Sequence, residues 1–113
     1  MIFIGLKNCD TCRKAKKWLE GEGISFEYQD VRADGLKTDD VRTWLETLGV
    51  DVLLNKRGTT WRTLDDSEKE NVDLEKAADL IVKYPSLMKR PLFIKDDQLI
   101  VGFKKEQMDQ LKG

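Results

Sequence analysis

The sequence predicts an α/β fold with a mixed sheet, ordered strand–helix–strand, a helical middle, then strand–strand–helix. Three observations predict it. A short apolar run, Ile2 to Gly5, is followed at once by apolar residues at helical spacing, and then by a stretch alternating with period two. The middle of the chain keeps the helical period throughout. After Pro91 the period of a strand returns, broken only by Asp96-Asp97.

Each element can be justified in order. Ile2 to Gly5 reads as a buried strand. Asp10 or Thr11 can open a helix in which Cys12, Ala15, Trp18 and Leu19 recur at helical spacing, and Gly21 and Gly23 stop it. Phe26 to Val31 alternates and reads as a strand. Two strands joined by such a helix form a βαβ unit with parallel strands and a right-handed crossover. Thr38 is placed to cap a second helix through Val41, Trp44, Leu45 and Leu48, ended by Gly49. Asp51 to Lys56 suggests a short helical turn, and Gly58-Thr59-Thr60-Trp61 a loop. Asp73 caps a helix through Leu74, Ala77, Ala78, Ile81 and Val82, with Pro85 beyond its end. Leu92 to Ile94 and Gln98 to Val101 flank a two-residue hairpin turn at Asp96-Asp97. Glu106 to Leu111 closes the chain as a short amphipathic helix. This is the order of a thioredoxin-like core, βαβ…ββα, with a helical block inserted at about residues 36–86 of a single 113-residue domain.

Composition narrows the function. Twenty basic side chains nearly balance twenty-one acidic ones, so no global field points to nucleic acid or to a membrane surface. Met1 to Leu6 is too short for a secretory signal, and no apolar stretch approaches the ~20 residues of a membrane helix. The expected compartment is the cytoplasm, where a permanent structural disulfide is disfavoured. The chain has no histidine, which excludes Cys-His and Ser-His-Asp catalysis and removes the commonest metal ligand.

Chemistry therefore centres on "KNCDTCRKA", residues 7–15, which holds both cysteines. A C-x-x-C between a first strand and the helix after it is the context that gives this spacing a redox reading. Cys9 stands at the helix tip, where free N–H groups favour a thiolate, with Lys7, Arg13 and Lys14 nearby. It is the expected nucleophile. Cys12 shares the stripe of Ala15 and Leu19, so it is read as a resolving thiol or as a small core hydrophobe. Asn8, Thr11 and Arg13, within and beside the pair, are candidate substrate-binding residues. Two thiolates without histidine leave a zinc site short of ligands, so no metal is expected. Arg57-Gly58-Thr59-Thr60-Trp61-Arg62 offers amides, hydroxyls and two arginines, as a site lining or as a solvated loop. Asp39-Asp40 and Asp65-Asp66 read as helix N-terminal charge, not as acid/base pairs.

Together "NCDTCRKA", "LLNKRGTTWRTL" at 53–64, "YPSLMKRPLFI" at 84–94 and "VGF" at 101–103 make the chain resemble the ArsC/Spx family of thioredoxin-fold arsenate reductases and their relatives, most of all its YffB-like branch. The resemblance spans essentially the whole chain. It implies that Cys9 is the nucleophile that attacks an oxyanion or a disulfide, and that Cys12 stands where Spx-type regulators keep the second cysteine of a redox switch. It implies that Arg90 grips the oxyanion and that Pro91 is a cis-proline facing the cysteine. On residue type alone, Pro91 would be trans and would open an edge strand. Two further anion-gripping arginines of the reductases are displaced or missing. One place is taken by Asn55, with Lys56 and Arg57 just after it, and the other by Gly102 and Phe103. Weakened arsenate binding is expected from that loss.

The resemblance implies a thiol-dependent oxidoreductase that binds no resident cofactor. Its substrate would be a small oxyanion, a thiol or a disulfide, with glutathione or another thiol as cosubstrate and glutaredoxin or thioredoxin as a possible redox partner. The alternative is an Spx-like switch that binds the RNA polymerase α C-terminal domain. Spx-type chains run longer after the last helix and differ in the 53–64 segment, which favours the enzyme.

Overall fold

The computed structural model describes residues 1–113. They divide into two compact units: Met1–Asp34 with Arg90–Gly113, and Gly35–Lys89.

The first unit is the sheet. It comprises β1 (Ile2–Gly5), α1 (Asp10–Gly21), β2 (Glu27–Asp30), β3 (Leu92–Lys95), β4 (Gln98–Val101) and the last helix (Lys105–Lys112). Strand order is β2-β1-β3-β4. β1 runs parallel to β2, and β3 is antiparallel to both β1 and β4. This is the mixed, thioredoxin-like α/β core expected from the element order. Pro91 leads into β3, which lies inside the sheet rather than at its edge. An interior position is open to it because Pro91 stands just before the ladder, which begins at Leu92, and needs no N–H there. Its carbonyl accepts the Gly102 N–H at 2.9 Å.

Period two explains the core. Phe3 and Phe93 are cross-strand partners and meet edge-on, with centroids 4.9 Å apart. Cys12, Ala15 and Leu19 complete the cluster from α1, Ile100 from β4 and Leu111 from the last helix. The Asp96-Asp97 turn has positive φ at both residues (52° and 44°), the twist a two-residue hairpin needs.

The second unit is helical: α2 (Thr38–Leu48), α3 (Val50–Leu53), α4 (Thr59–Thr63), α5 (Asp66–Lys69), α6 (Leu74–Lys83) and a 3₁₀ turn at Pro85–Leu87. The last helix of the chain is thus α7. Buried Val41, Trp44 and Leu45 line α2, and Ala77, Ala78, Leu80 and Ile81 line α6; the two helices pack together. Arg42 ties them on the outside, its guanidinium forked onto Glu75 at 2.8 and 2.9 Å. Two expectations are corrected here, and one element is added. The Gly58–Trp61 segment is not a loop, since Thr59 to Thr63 close a helix whose N-cap is Gly58. The N-cap of α2 is Lys37, and Thr38 is already helical. A one-turn helix at Asp66–Lys69, absent from the sequence reading, is closed by a capping box between Asp65 and Glu68. No helix of the chain is long and apolar enough to cross a membrane.

Candidate functional site

The loop from β1 into α1 carries the cysteines. Its path is set by two backbone bonds: Cys9 N–H donates to the Leu6 carbonyl at 3.1 Å, and the Cys9 carbonyl accepts from Arg13 N–H at 3.0 Å. Cys9 is therefore itself the N-cap of α1, with extended backbone (φ −107°, ψ 119°). A thiol replaces the hydroxyl or carboxylate that usually fills this place, and it closes no capping bond.

Cys9 is half-buried and Cys12 is buried, both as free thiols. Their acidities move in opposite directions. Burial works against the Cys9 thiolate, but the backbone N–H and thiol of Cys12, together with the Arg90 charge, outweigh it and hold the Cys9 pKa below that of an ordinary thiol. Cys12 is pushed up to about 12, first by burial, with the neighbouring Cys9 adding to the rise. The pair thus has one thiol poised to ionise and one that stays protonated.

Among the sequence candidates, Cys9, Cys12 and Arg90 converge: the guanidinium acts on both sulfurs. Pro91 is buried, and the Arg90–Pro91 bond is cis. Asn8 and Thr11 flank Cys9 and are exposed. Arg13 is exposed and turned onto Asp10 at 2.7 Å, one helical turn back, so its charge is already paired. Arg57 belongs to the second unit. There it is exposed and lines a shallow hollow of about 320 Å³ with Asp51, Leu54, Lys56 and Lys89. Its own N–H donates to Asn55 Oδ1 at 3.0 Å, which fixes the turn that presents it. No group of three or more acidic or cysteine side chains is arranged to hold a metal ion.

Two neighbours of the cysteines were not singled out by the sequence. Gly5 is the floor beneath Cys12: a Cβ there would stand 3.0 Å from Cys12 Sγ and 2.8 Å from a Phe3 ring carbon. Asp30 ends β2 almost fully buried, and its carboxylate reaches the cysteine loop. A glycine closing a buried strand is the one signal that could have marked close packing at Gly5. A lone aspartate beside a turn gave no comparable signal.

Known proteins resemble this chain along nearly its whole length. The model of the ArsC family matches residues 4–111. An uncharacterised protein of Haemophilus influenzae is 40% identical over 91% of this chain and 90% of its own. The global transcriptional regulator Spx of Listeria innocua is 28% identical over 89% of this chain and 78% of its own. Among solved structures, a YffB protein superposes with TM-score 0.90 at 33% identity, covering 97% of this chain and 96% of its own. An arsenate reductase related protein from Brucella melitensis superposes with TM-score 0.78 at 39% identity, covering 96% and 91%.

Proposed function

The chain belongs to the ArsC family, and from that premise we propose that it is a thiol-dependent oxidoreductase with Cys9 as its nucleophile. One observation carries the reading: a cysteine forms the N-cap of α1, with the Cys12 N–H and the Arg90 guanidinium both favouring its thiolate. On a disulfide substrate, Cys9 Sγ attacks one sulfur, the other leaves as a thiolate, and a mixed disulfide on Cys9 remains. A second thiol then attacks that sulfur pair and releases Cys9. Arg90 holds the negative charge of the substrate, whether the leaving thiolate or an oxyanion.

The second thiol is external, with glutathione the leading choice. Cys12 is buried, and burial first of all pushes its thiol up to about 12, which slows its attack because thiol exchange goes through the thiolate. Arsenate is the less favoured substrate, because places held by gripping arginines in the reductases carry Asn55, Gly102 and Phe103 here.

The test is the rate of Cys9 alkylation against pH, with and without arsenate or phosphate. A lowered pKa means that reactivity rises and levels off below the ordinary thiol value of 9.0, and bound anion slows it. Turnover with glutathione is expected to vanish in Cys9→Ser and to persist in Cys12→Ser. Full activity in Cys9→Ser would sink the mechanism.

The resemblance to Spx regulators supports a second reading, a redox switch that binds the RNA polymerase α C-terminal domain. Reproducible capture of that domain, dependent on the oxidation state of Cys9 and Cys12, would rank it first.

A further inference from the structure

Asp30 is the one buried charged residue of the chain, only 9% exposed. Its two carboxylate oxygens are divided between two tasks. Oδ1 accepts the N–H groups of Arg32 at 2.8 Å and Ala33 at 2.9 Å, closing the turn that follows β2. Oδ2 accepts the N–H of Lys7 at 2.8 Å, twenty-three residues away, and more weakly the Tyr28 hydroxyl at 3.4 Å. Lys7 lies two residues before Cys9, inside the turn that Cys9 N–H closes onto Leu6. A rigid strand end thus grips the loop that presents the nucleophile.

We propose that Asp30 is a positioning residue for Cys9: through Oδ2 and the Lys7 N–H it holds the loop so that the Cys9 sulfur faces the Cys12 N–H and Arg90. The inference rests on the reading of Cys9 as the working thiol. It has an unusual sign. The carboxylate is negative, and a negative charge near a thiolate opposes ionisation by direct field. Positioning works the other way, by keeping the thiolate against its donors. The same four donors, set against burial, hold the Asp30 carboxyl below the usual carboxylate range, so it stays charged wherever Cys9 titrates.

Within this unit, several other titratable or charged groups act on Cys9 or stand near it in the fold or the chain. Cys12 on α1 and Arg90 ahead of β3 act on it directly. Tyr28 on β2 is pushed up to about 12, by burial first and then by Asp30 and the cysteines, and stays neutral. Lys7 has an exposed side chain, and Asp10 and Arg13 pair with each other on the surface.

The experiment is the pH profile of Cys9 alkylation in wild type, Asp30→Asn and Tyr28→Phe. Asparagine keeps Oδ1 for Arg32 and Ala33 and puts an NH₂ where Lys7 needs an acceptor, so the turn survives and the tether is cut. The expected result is an apparent Cys9 pKa at least about half a unit higher in Asp30→Asn, lowering the rate well below the pKa by about threefold or more. Tyr28→Phe leaves the Lys7 bond in place and is expected to show no rise. A pKa in Asp30→Asn that is unchanged or lower overturns the proposal, a fall being the signature of direct charge. Should Asp30→Asn not fold, amide exchange at Lys7 in the wild type decides: protection well above that of exposed loop amides supports the tether, and free exchange overturns it. A wild-type profile with an ordinary thiol pKa would instead count against the nucleophile reading, so the two failures are distinguishable.

Discussion

Two helices of this chain begin in opposite ways. At the start of α6, Asp73 takes an extended conformation and its Oδ1 accepts the Lys76 N–H at 2.9 Å, so a free backbone donor is satisfied by a local side chain. At the start of α1 the same position is held by Cys9, whose thiol closes no capping bond but whose thiolate is favoured by the equivalent donor, the Cys12 N–H. The α1 start leaves its donors to a sulfur whose pKa is held below that of an ordinary thiol. The α6 start uses one of its donors on a stabilising cap. The difference shows in what surrounds each. Asp73 is exposed and stands at the helix start as an ordinary charged cap, whereas Cys9 is half-buried under a cation, with a buried thiol beside it.

The sharpest way to break this contrast is to remove the cation. In Arg90→Gln the loss of one charge-assisted contact, about 1.5–3 kcal/mol, is expected to weaken anion protection of Cys9 by roughly ten- to a hundredfold. The apparent Cys9 pKa should rise at the same time, because the Arg90 charge lowers it. Equal anion protection in variant and wild type would mean that the helix start alone holds the anion, and would leave Arg90 without the proposed part.

A smaller effect is expected from the floor of the site. Gly5→Ala places a methyl group 2.8 Å from a Phe3 ring carbon and 3.0 Å from Cys12 Sγ, closer than side-chain carbons pack. Phe3 is fully buried against Phe93, so it has little room to yield. Overpacking of this kind costs about 1–3 kcal/mol, measurable as a shift of the denaturant midpoint. A neutral outcome would mean that the Cys12 side chain is free to move, and would reopen its role as a resolving thiol.

How much of this was legible in the sequence depends on the length of the signal. α1 and α6 carry full apolar stripes with stops or caps at their ends, and both were read with nearly correct bounds. The Asp96-Asp97 hairpin was legible because two short apolar runs, Leu92 to Ile94 and Leu99 to Val101, flank a pair of turn-forming residues. α4 was missed because its five residues bury none of their side chains, so no periodicity marks it. α5 did leave a trace, the Asp65-x-x-Glu68 capping box, without an apolar run behind it to give the trace weight. Motif and resemblance single out the cysteine pair and Arg90, which the fold brings together. Arg13 was chosen for its charge, and only the fold shows that charge spent on Asp10. Asp30 escaped notice because its role lies in a contact with Lys7, twenty-three residues away, to which no local pattern points.

The smallest effect tests the other half of the comparison. Asp73→Ala removes the acceptor for Lys76 N–H and the negative charge at the positive end of the α6 dipole. The expected cost is about 1 kcal/mol of stability, with no change in the pH profile of Cys9 alkylation. Asp73→Asn retains an acceptor oxygen and is expected to recover most of the loss, which separates the hydrogen bond from the charge. The α6 cap lies in the helical unit, Gly35–Lys89, and Cys9 in the sheet unit. A stability loss with an unmoved Cys9 profile would therefore establish that the α6 start serves folding while the α1 start serves chemistry. A shift of the Cys9 profile in Asp73→Ala would couple the two helix starts, and a division of labour between them would no longer describe the molecule.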